Sequence, residues 1–385
     1  MLLVLAGLLI AGLMLTGCGQ TASTSDNGKE PYKIGAVFDS SGSSSSLGVP
    51  ERDTAQMVVD EINKNGGING HPIELIMLDS KTNETEAALA AKKLIQQGVS
   101  AIIGASTSGS TMAMVDIVQN AKIPLISCAA SVKIVEPVKD RQWVFKTAQS
   151  DRFVAEKLVD YLKSKNITKV ALATANNAYG DSGRKEFEKA AAAGGITIID
   201  KEKFEQNDTS MTSQLTNIKK AAPEAVICWA VPPAASVFTA NFRQMGINVP
   251  LLHSSGIANK NFLELAGPAA EGVVFPVGHL LVAEQLPDSD PQKAVELEYA
   301  KTFEAKFGVG TRSTFGGHAW DAVNIVAEAL KKVGPDPVKL RDEIEKTQFT
   351  GISSVFNFTP EDHGGITKDA LVLVEVKDGK WSTIK

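Results

Sequence analysis

Residues 104–111, Gly-Ala-Ser-Thr-Ser-Gly-Ser-Thr, are the stretch of this 385-residue chain best equipped for chemistry. Gly104 and Gly109, followed by Ser110 and Thr111, copy the spacing of a phosphate loop, with serine where the lysine belongs. Without that lysine, or a carboxylate placed for magnesium, nucleotide hydrolysis has no basis. What survives is an anion cradle. Free N–H groups, the positive end of a helix dipole and the hydroxyls of Ser108 and Thr111 suit one small anion such as a carboxylate. The same pattern also reads as a hydroxyl-rich helix N-cap with no ligand. A second loop, Asp39 to Gly48, carries Ser41 and a serine run, and reads equally as a flexible turn.

Other chemistry is not prepared. There is no Gly-x-Ser-x-Gly elbow, so a secreted serine hydrolase lacks support. The histidines, His71, His253, His279, His318 and His363, have no metal-ligand spacing; only His318 sits where it would face a cleft. No metal, cofactor or catalytic residue is therefore expected. A net charge of −5, with Lys and Arg scattered, offers no basic stripe for nucleic acid. Of three cysteines, Cys128 and Cys228 lie in apolar runs and are expected to be buried and reduced.

The third, Cys18, ends Leu15-Thr16-Gly17-Cys18 behind an apolar run from Met1 to Leu15. That run is too short to span a bilayer, ends in small residues and reads as the core of a cleaved lipoprotein signal. Cleavage would leave Cys18 as the first residue, and a diacylated cysteine gives the two chains that stable anchoring requires. The expectation is a protein tethered outside the cytoplasm. No Lys or Arg precedes the apolar run, which points to a start codon upstream of Met1. Residues 18–30 are polar and low in complexity, a flexible tether.

The elements that must position the loops begin at Lys33. Ile34 to Phe38 reads as a strand, followed by a helix with Ala55, Val58, Val59 and Ile62 on one face and a turn at Asn65–Gly70. Strand Ile73 to Leu78, a helix opened by an Asn83/Glu86 capping pair and strand Val99 to Ile103 follow. The programme restarts at Lys169: strand Val170 to Ala173, a helix from about Gly180 to Ala193, strand Ile196 to Ile199, a helix with Met211, Leu215 and Ile218, and strand Ala225 to Ala230. Such alternation implies parallel βαβ units in two α/β lobes. The chain leaves the first lobe near Trp143–Ser150 and returns near Gly278. A last strand, Leu371 to Val376, shows no nearby hairpin partner and crosses again. In such sheets ligands settle beyond the carboxyl ends of the strands, where both hydroxyl loops lie.

Several segments taken in order carry a family resemblance: Ile34-Gly35-Ala36 with Ser41-Gly42, Asn65 to Gly70, Ile102-Ile103-Gly104, Tyr179-Gly180, Ala270-Glu271-Gly272 and His318 to Ala322. From Lys33 to its end the chain resembles the type I periplasmic binding proteins of the leucine/isoleucine/valine-binding family, the receptors of ATP-driven importers. The resemblance implies two doubly wound parallel-sheet lobes joined by a three-segment hinge and closing on a small ligand. The expected division is 1–17 signal peptide, 18–30 tether, 31–148 with 279–368 as lobe 1, and 149–278 with 369–385 as lobe 2. It places a ligand carboxylate on Ser108 and the Ala129–Ser131 segment, with Tyr179 closing from lobe 2. Ser41, Thr111 and Ser255 are further candidates, and Trp320 and Phe315 candidate walls.

Most amino-acid-binding members hold the ammonium with an acid at the position of Ser255. Leu47 and Val231 likewise replace tyrosines common in relatives. The pocket is thus expected to take a branched-chain or related amino acid, with Asp181 or another acid substituting, or else an aromatic or 2-oxo acid without an amino group. The implied partners are an ABC permease with its ATPase subunits, or alternatively a membrane receptor for which the protein is a sensor. The implied protein is a monomer.

Overall fold

The structure, a computed structural model, describes residues 28–384. Cys18, the signal and most of the tether lie outside the described residues.

Five strands, β1 (Tyr32–Phe38), β2 (Ile73–Asp79), β3 (Ala101–Gly104), β4 (Leu125–Ser127) and β5 (Val144–Lys146), form one parallel sheet in the order β2-β1-β3-β4-β5. Helices α1 (Ser45–Lys64), α2 (Glu84–Gln96) and α3 (Ser108–Ala121) connect them. β1 is apolar from Ile34 to Phe38 because both its faces are covered there: Ile34, Ala36 and Phe38 enter one core cluster and Val37 the other. The Asn83 cap is as the sequence predicts, its Oδ1 accepting from the Glu86 amide at 3.0 Å.

The chain then crosses through 147–150 into α4 (Asp151–Ser164), β6 (Lys169–Ala175), α5 (Ala178–Gly194), β7 (Thr197–Phe204), α6 (Thr212–Ala221), β8 (Ala225–Trp229), α7 (Ala234–Gln244), β9 (Leu251–His253), α8 (Lys260–Ala266) and β10 (Val274–Val277). It returns to α9 (Lys293–Phe307), α10 (Thr314–Val333), α11 (Pro337–Ile344) and the small hairpin β11 (Gln348–Thr350) and β12 (Val355–Asn357). α10 lies along α1, and Thr54 and Tyr299 bond at 2.8 Å between α1 and α9. A third crossing delivers β13 (Val372–Lys377) and β14 (Lys380–Thr383) to the second sheet, ordered β14-β13-β10-β9-β8-β6-β7. The molecule is thus a two-lobe α/β fold in which three chain segments join the lobes.

Three expectations change. The last strand does have a hairpin partner: β13 and β14 pair antiparallel around Asp378 and Gly379, both at positive φ, so the second sheet is parallel only over β7 to β10. The serine run is not all loop, since α1 begins at Ser45. The strand from Ile196 extends to Phe204 as an edge strand whose later residues, Asp200 to Lys203, are polar and escape an apolar-run criterion. Cys128 and Cys228 are free and buried, one beyond β4 and the other in β8.

Candidate functional site

A cavity of ≈ 200 Å³ lies between the two sheets, lined by loops that follow β1 to β9. This is the place that open parallel sheets reserve for ligands.

The hydroxyl loop after β3 forms one wall. Thr107 caps α3; its Oγ1 accepts from the Ser110 amide at 3.4 Å and donates to Ser110 Oγ at 2.9 Å. Ser110 Oγ donates in turn to Asp39 at 2.9 Å, and Ser106 Oγ accepts from the Asp39 amide at 2.9 Å. Those hydroxyls are committed to holding the loop on β1. Ser108 differs: its Oγ accepts from the Ser131 amide at 3.3 Å, leaving its own proton to donate into the cavity it lines. The amides of Ser108 and Gly109 donate to no acceptor among the described residues.

The segment after β4 forms the floor. Ala129 and Ala130 line the cavity, but the Ala129 amide is taken by Ser127 Oγ at 3.1 Å. The Ala130 carbonyl accepts from Lys146 Nζ at 2.8 Å and the Asp151 amide at 3.2 Å, while Asp151 Oδ1 accepts from the Val132 amide at 3.1 Å. Burial brings the Lys146 ammonium down to about 8 and raises the Asp151 carboxyl.

The opposite wall comes from the second sheet. Tyr179 lines the cavity beside Ser255 and Gly256, and its ring meets Trp229 at 6.0 Å between centroids. Its hydroxyl is buried without a hydrogen bond, and burial pushes its pKa up to about 12, so it stays neutral. Gly256 permits this approach, because a Cβ there would stand 2.6 Å from the Ala230 carbonyl oxygen and 3.2 Å from the Tyr179 ring. Leu47, Val231 and Phe315 pack with Tyr179 into an apolar cluster that spans both lobes.

Of the sequence candidates, Ser108, Ala129, Tyr179, Ser255 and Phe315 line the cavity together. Four do not. Ser41 donates to Asp79 at 2.6 Å on an exposed loop, and Ser43 and Ser44 line the cavity instead. Thr111 is buried behind the loop, 3.0 Å from Ser127 Oγ. Ser131 is sealed by its 2.7 Å hydrogen bond to Ser182 across the lobes. Trp320 packs on Phe349 at 5.9 Å, because five residues along a helix turn it well away from the Phe315 face. Asp181 pairs with Lys203 at 2.6 Å outside the cavity.

Sequence reading missed Glu84, Asn177, Gln206 and Thr314, all lining residues. The signal was available for three of them, since each stands at a helix N-terminus that follows a strand or loop. His318, one turn after Phe315, lines the cavity and is 3% exposed; burial, with Lys146 nearby, drives its pKa down to about 3 and keeps it neutral.

The N-termini of α1, α2, α3, α5 and α10 all open on this cavity. Each carries a partial positive charge of roughly one half. No Lys or Arg lines it, and Glu84, exposed at the rim, is the sole charged side chain in the lining. The arrangement holds a small anion through dipoles, amides and hydroxyls. The Ser353–His318 pair is not arranged as a catalytic triad: the Ser353 hydroxyl bonds His318 Nδ1 at 2.7 Å but does not line the cavity, and Asp321 binds the Ser353 amide, not the imidazole.

Comparison with known proteins bears on the family and the fold. A family described as periplasmic binding protein matches residues 31–380. The leucine-, isoleucine-, valine-, threonine- and alanine-binding protein of Pseudomonas aeruginosa is 23% identical over 350 residues, 89% of this chain and 88% of that protein. An extracellular ligand-binding receptor from Rhodopseudomonas palustris HaA2 superposes with a TM-score of 0.86 at 27% identity, over 92% of this chain and 99% of that one. A branched-chain amino acid transporter substrate binding protein from Streptococcus pneumoniae, in complex with isoleucine, has a TM-score of 0.81 at 28% identity over 92% and 99%.

Proposed function

Since the chain belongs to the periplasmic binding protein family, we propose that it is the substrate-binding component of an ABC importer, moored outside the cytoplasm through a lipidated Cys18. Its cargo is a small carboxylate with an apolar tail. The lobes, 31–148 with 279–368 and 149–278 with 369–385, close on that ligand, and the closed shape of a monomer is what the permease and its ATPase subunits accept.

The observation that carries this reading is the convergence of five helix N-termini and the free Ser108 hydroxyl on a cavity without a basic side chain. The carboxylate would sit on the Ser108, Gly109 and Ala130 amides and on Ser108 Oγ. The tail would lie against Leu47, Val231 and Phe315, with Tyr179 and Ser255 touching the ligand from the second lobe. A ligand drives closure only through contacts it makes better in the closed form, so this two-sided lining is required. The names of the relatives favour a branched-chain or related amino acid; the absence of a second-lobe acid from the lining favours an acid without an ammonium.

The test is calorimetry with a panel of branched-chain amino acids, 2-oxo acids and benzoates. A true partner at a hundredfold excess over its Kd stabilises the fold by about 2.7 kcal/mol. Ser108→Ala is expected to weaken that partner about tenfold or more, as for loss of a hydrogen bond to a charged group. Unchanged affinity in Ser108→Ala would remove the site.

A further inference from the structure

His318 is a buried polar group of the cavity wall with one ring nitrogen unused. It is 3% exposed, on the face of α10 that lines the cavity. Nδ1 is engaged by the Ser353 hydroxyl at 2.7 Å; Nε2 has no hydrogen-bond partner among the described residues and is not sealed from solvent space, so it opens on the cavity. The imidazole is also held from behind. Its backbone carbonyl accepts from Thr147 Oγ1 at 2.9 Å, and its Ser353 partner sits on a segment fixed by Asp321, which accepts the Ile352 and Ser353 amides at 2.7 and 2.8 Å. Gln149 donates to the Ser353 carbonyl at 3.1 Å. A side chain so thoroughly oriented, with one ring nitrogen left over, is built to meet a ligand.

We propose that His318 Nε2 hydrogen-bonds an oxygen function, an oxo or hydroxyl group, carried by the carboxylate ligand in place of an ammonium. This rests on the carboxylate-clamp reading above and deepens it.

Charge decides between oxygen and ammonium. Five helix N-termini and the buried Lys146 ammonium, held on the Ala130 carbonyl behind the cavity floor, surround the ligand with positive potential. None of the carboxyl groups near the cavity other than Glu84 lines it: Asp39 takes the Ser80 and Ser110 hydroxyls, Asp151 the Val132 amide, Asp321 the Ile352 and Ser353 amides, Asp181 pairs with Lys203, and Glu51, behind Ser106 and Cys128, is raised by burial toward its neutral form. Glu84 stands at the exposed rim, beside Gly109, on the first-lobe side. A desolvated ammonium at His318 would therefore meet no counter-charge. A neutral oxygen loses nothing there: an oxo group accepts from Nε2–H while Nδ1 accepts from Ser353, and a hydroxyl is satisfied by either tautomer.

Titration calorimetry on the purified protein with matched probes tests this: 4-methyl-2-oxopentanoate against 4-methylpentanoate, 4-hydroxybenzoate against benzoate, and leucine. In the wild-type protein the oxygen-bearing acid of at least one pair is expected to bind about tenfold tighter than its partner, as for one net hydrogen bond. In His318→Leu that ratio falls to within about twofold, whatever the change in the absolute affinity of the oxygen-free acid, and Ser353→Ala, which frees the ring without removing it, gives an intermediate ratio. Preferred binding of leucine, or an unchanged ratio in His318→Leu with the oxygen-free acid still bound, overturns the proposal and leaves the clamp standing. Failure of every acid and of leucine to bind overturns both. If His318→Leu does not fold, the Ser353→Ala ratio decides, and a ratio equal to wild type counts against the proposal.

Discussion

Glu51 on α1 and Glu296 on α9 are fully buried, and neither carboxyl has a hydrogen-bond partner. Burial raises both, Glu296 to about 9 with help from the Asp290 and Asp321 charges, and burial lifts Asp321 to about 7. In the unfolded chain such groups titrate near 4. Between about pH 5 and 9 the folded state therefore holds more protons than the unfolded one, and stability falls as pH rises. Glu296→Gln keeps the shape and removes the titration. Unfolding free energies from urea titration should be nearly unchanged at pH 5 and higher than wild type at pH 9, by at most about 1.4 kcal/mol for each pH unit between the two pKa values. A wild-type unfolding free energy equal at both pH values would contradict this.

At the same scale, the hydroxyl-rich stretch after β3 was legible because composition and spacing mark a helix start. Which hydroxyl faces the ligand was not. Thr111 and Ser131 have the same chemistry as Ser108 but are spent on Ser127 and Ser182, partners brought from elsewhere in the fold.

Among elements, α5 shows how a helix is placed by what it lacks. A Cβ on Gly183 would lie 2.1 Å from the ring of Trp229, so the helix reaches β8 only because that residue has no side chain. Gly183→Ala gains up to about 1 kcal/mol of helix propensity. Overpacking against a fully buried indole costs about 1–3 kcal/mol, so the net effect is destabilising. Thermal unfolding should show a Tm lower by a few degrees. Because Trp229 backs Tyr179, ligand affinity should drop as well; an unshifted Tm would argue against the contact.

The alternation of strands and helices was readable because β1, β3, β4 and β5 of the first sheet are buried along nearly their whole length and the helices between them have one apolar side. The hairpin β13–β14 escaped for a different reason. Lys380 to Thr383 is a polar edge strand with one aromatic residue, Trp381, whose ring packs edge-on to Phe275 at 5.2 Å; only the Asp378-Gly379 turn announced it.

For the whole molecule, the lobes are joined by three chain segments and also by direct contacts. Ser131 Oγ donates to Ser182 Oγ at 2.7 Å, and Asn259 Nδ2 donates to the Ser46 carbonyl at 3.4 Å. That carbonyl is available because Pro50, four residues on inside α1, has no N–H to give it. Ser182→Ala should weaken binding of any accepted ligand, by a few-fold for one ordinary hydrogen bond. Calorimetry with two accepted ligands checks this, and unequal losses for the two would refute it.

None of the four residues in these lobe-to-lobe bonds lines the cavity, so an occupant that leaves them unbroken does not alter them. They act as a volume control rather than a tuner: strengthening or loosening them multiplies every dissociation constant by one factor and leaves the ranking of solutes untouched. Affinity can then drift independently of discrimination, so that Ser131, Ser182, Ser46 and Asn259 set how tightly any solute is held, while the cavity wall decides which solute it is.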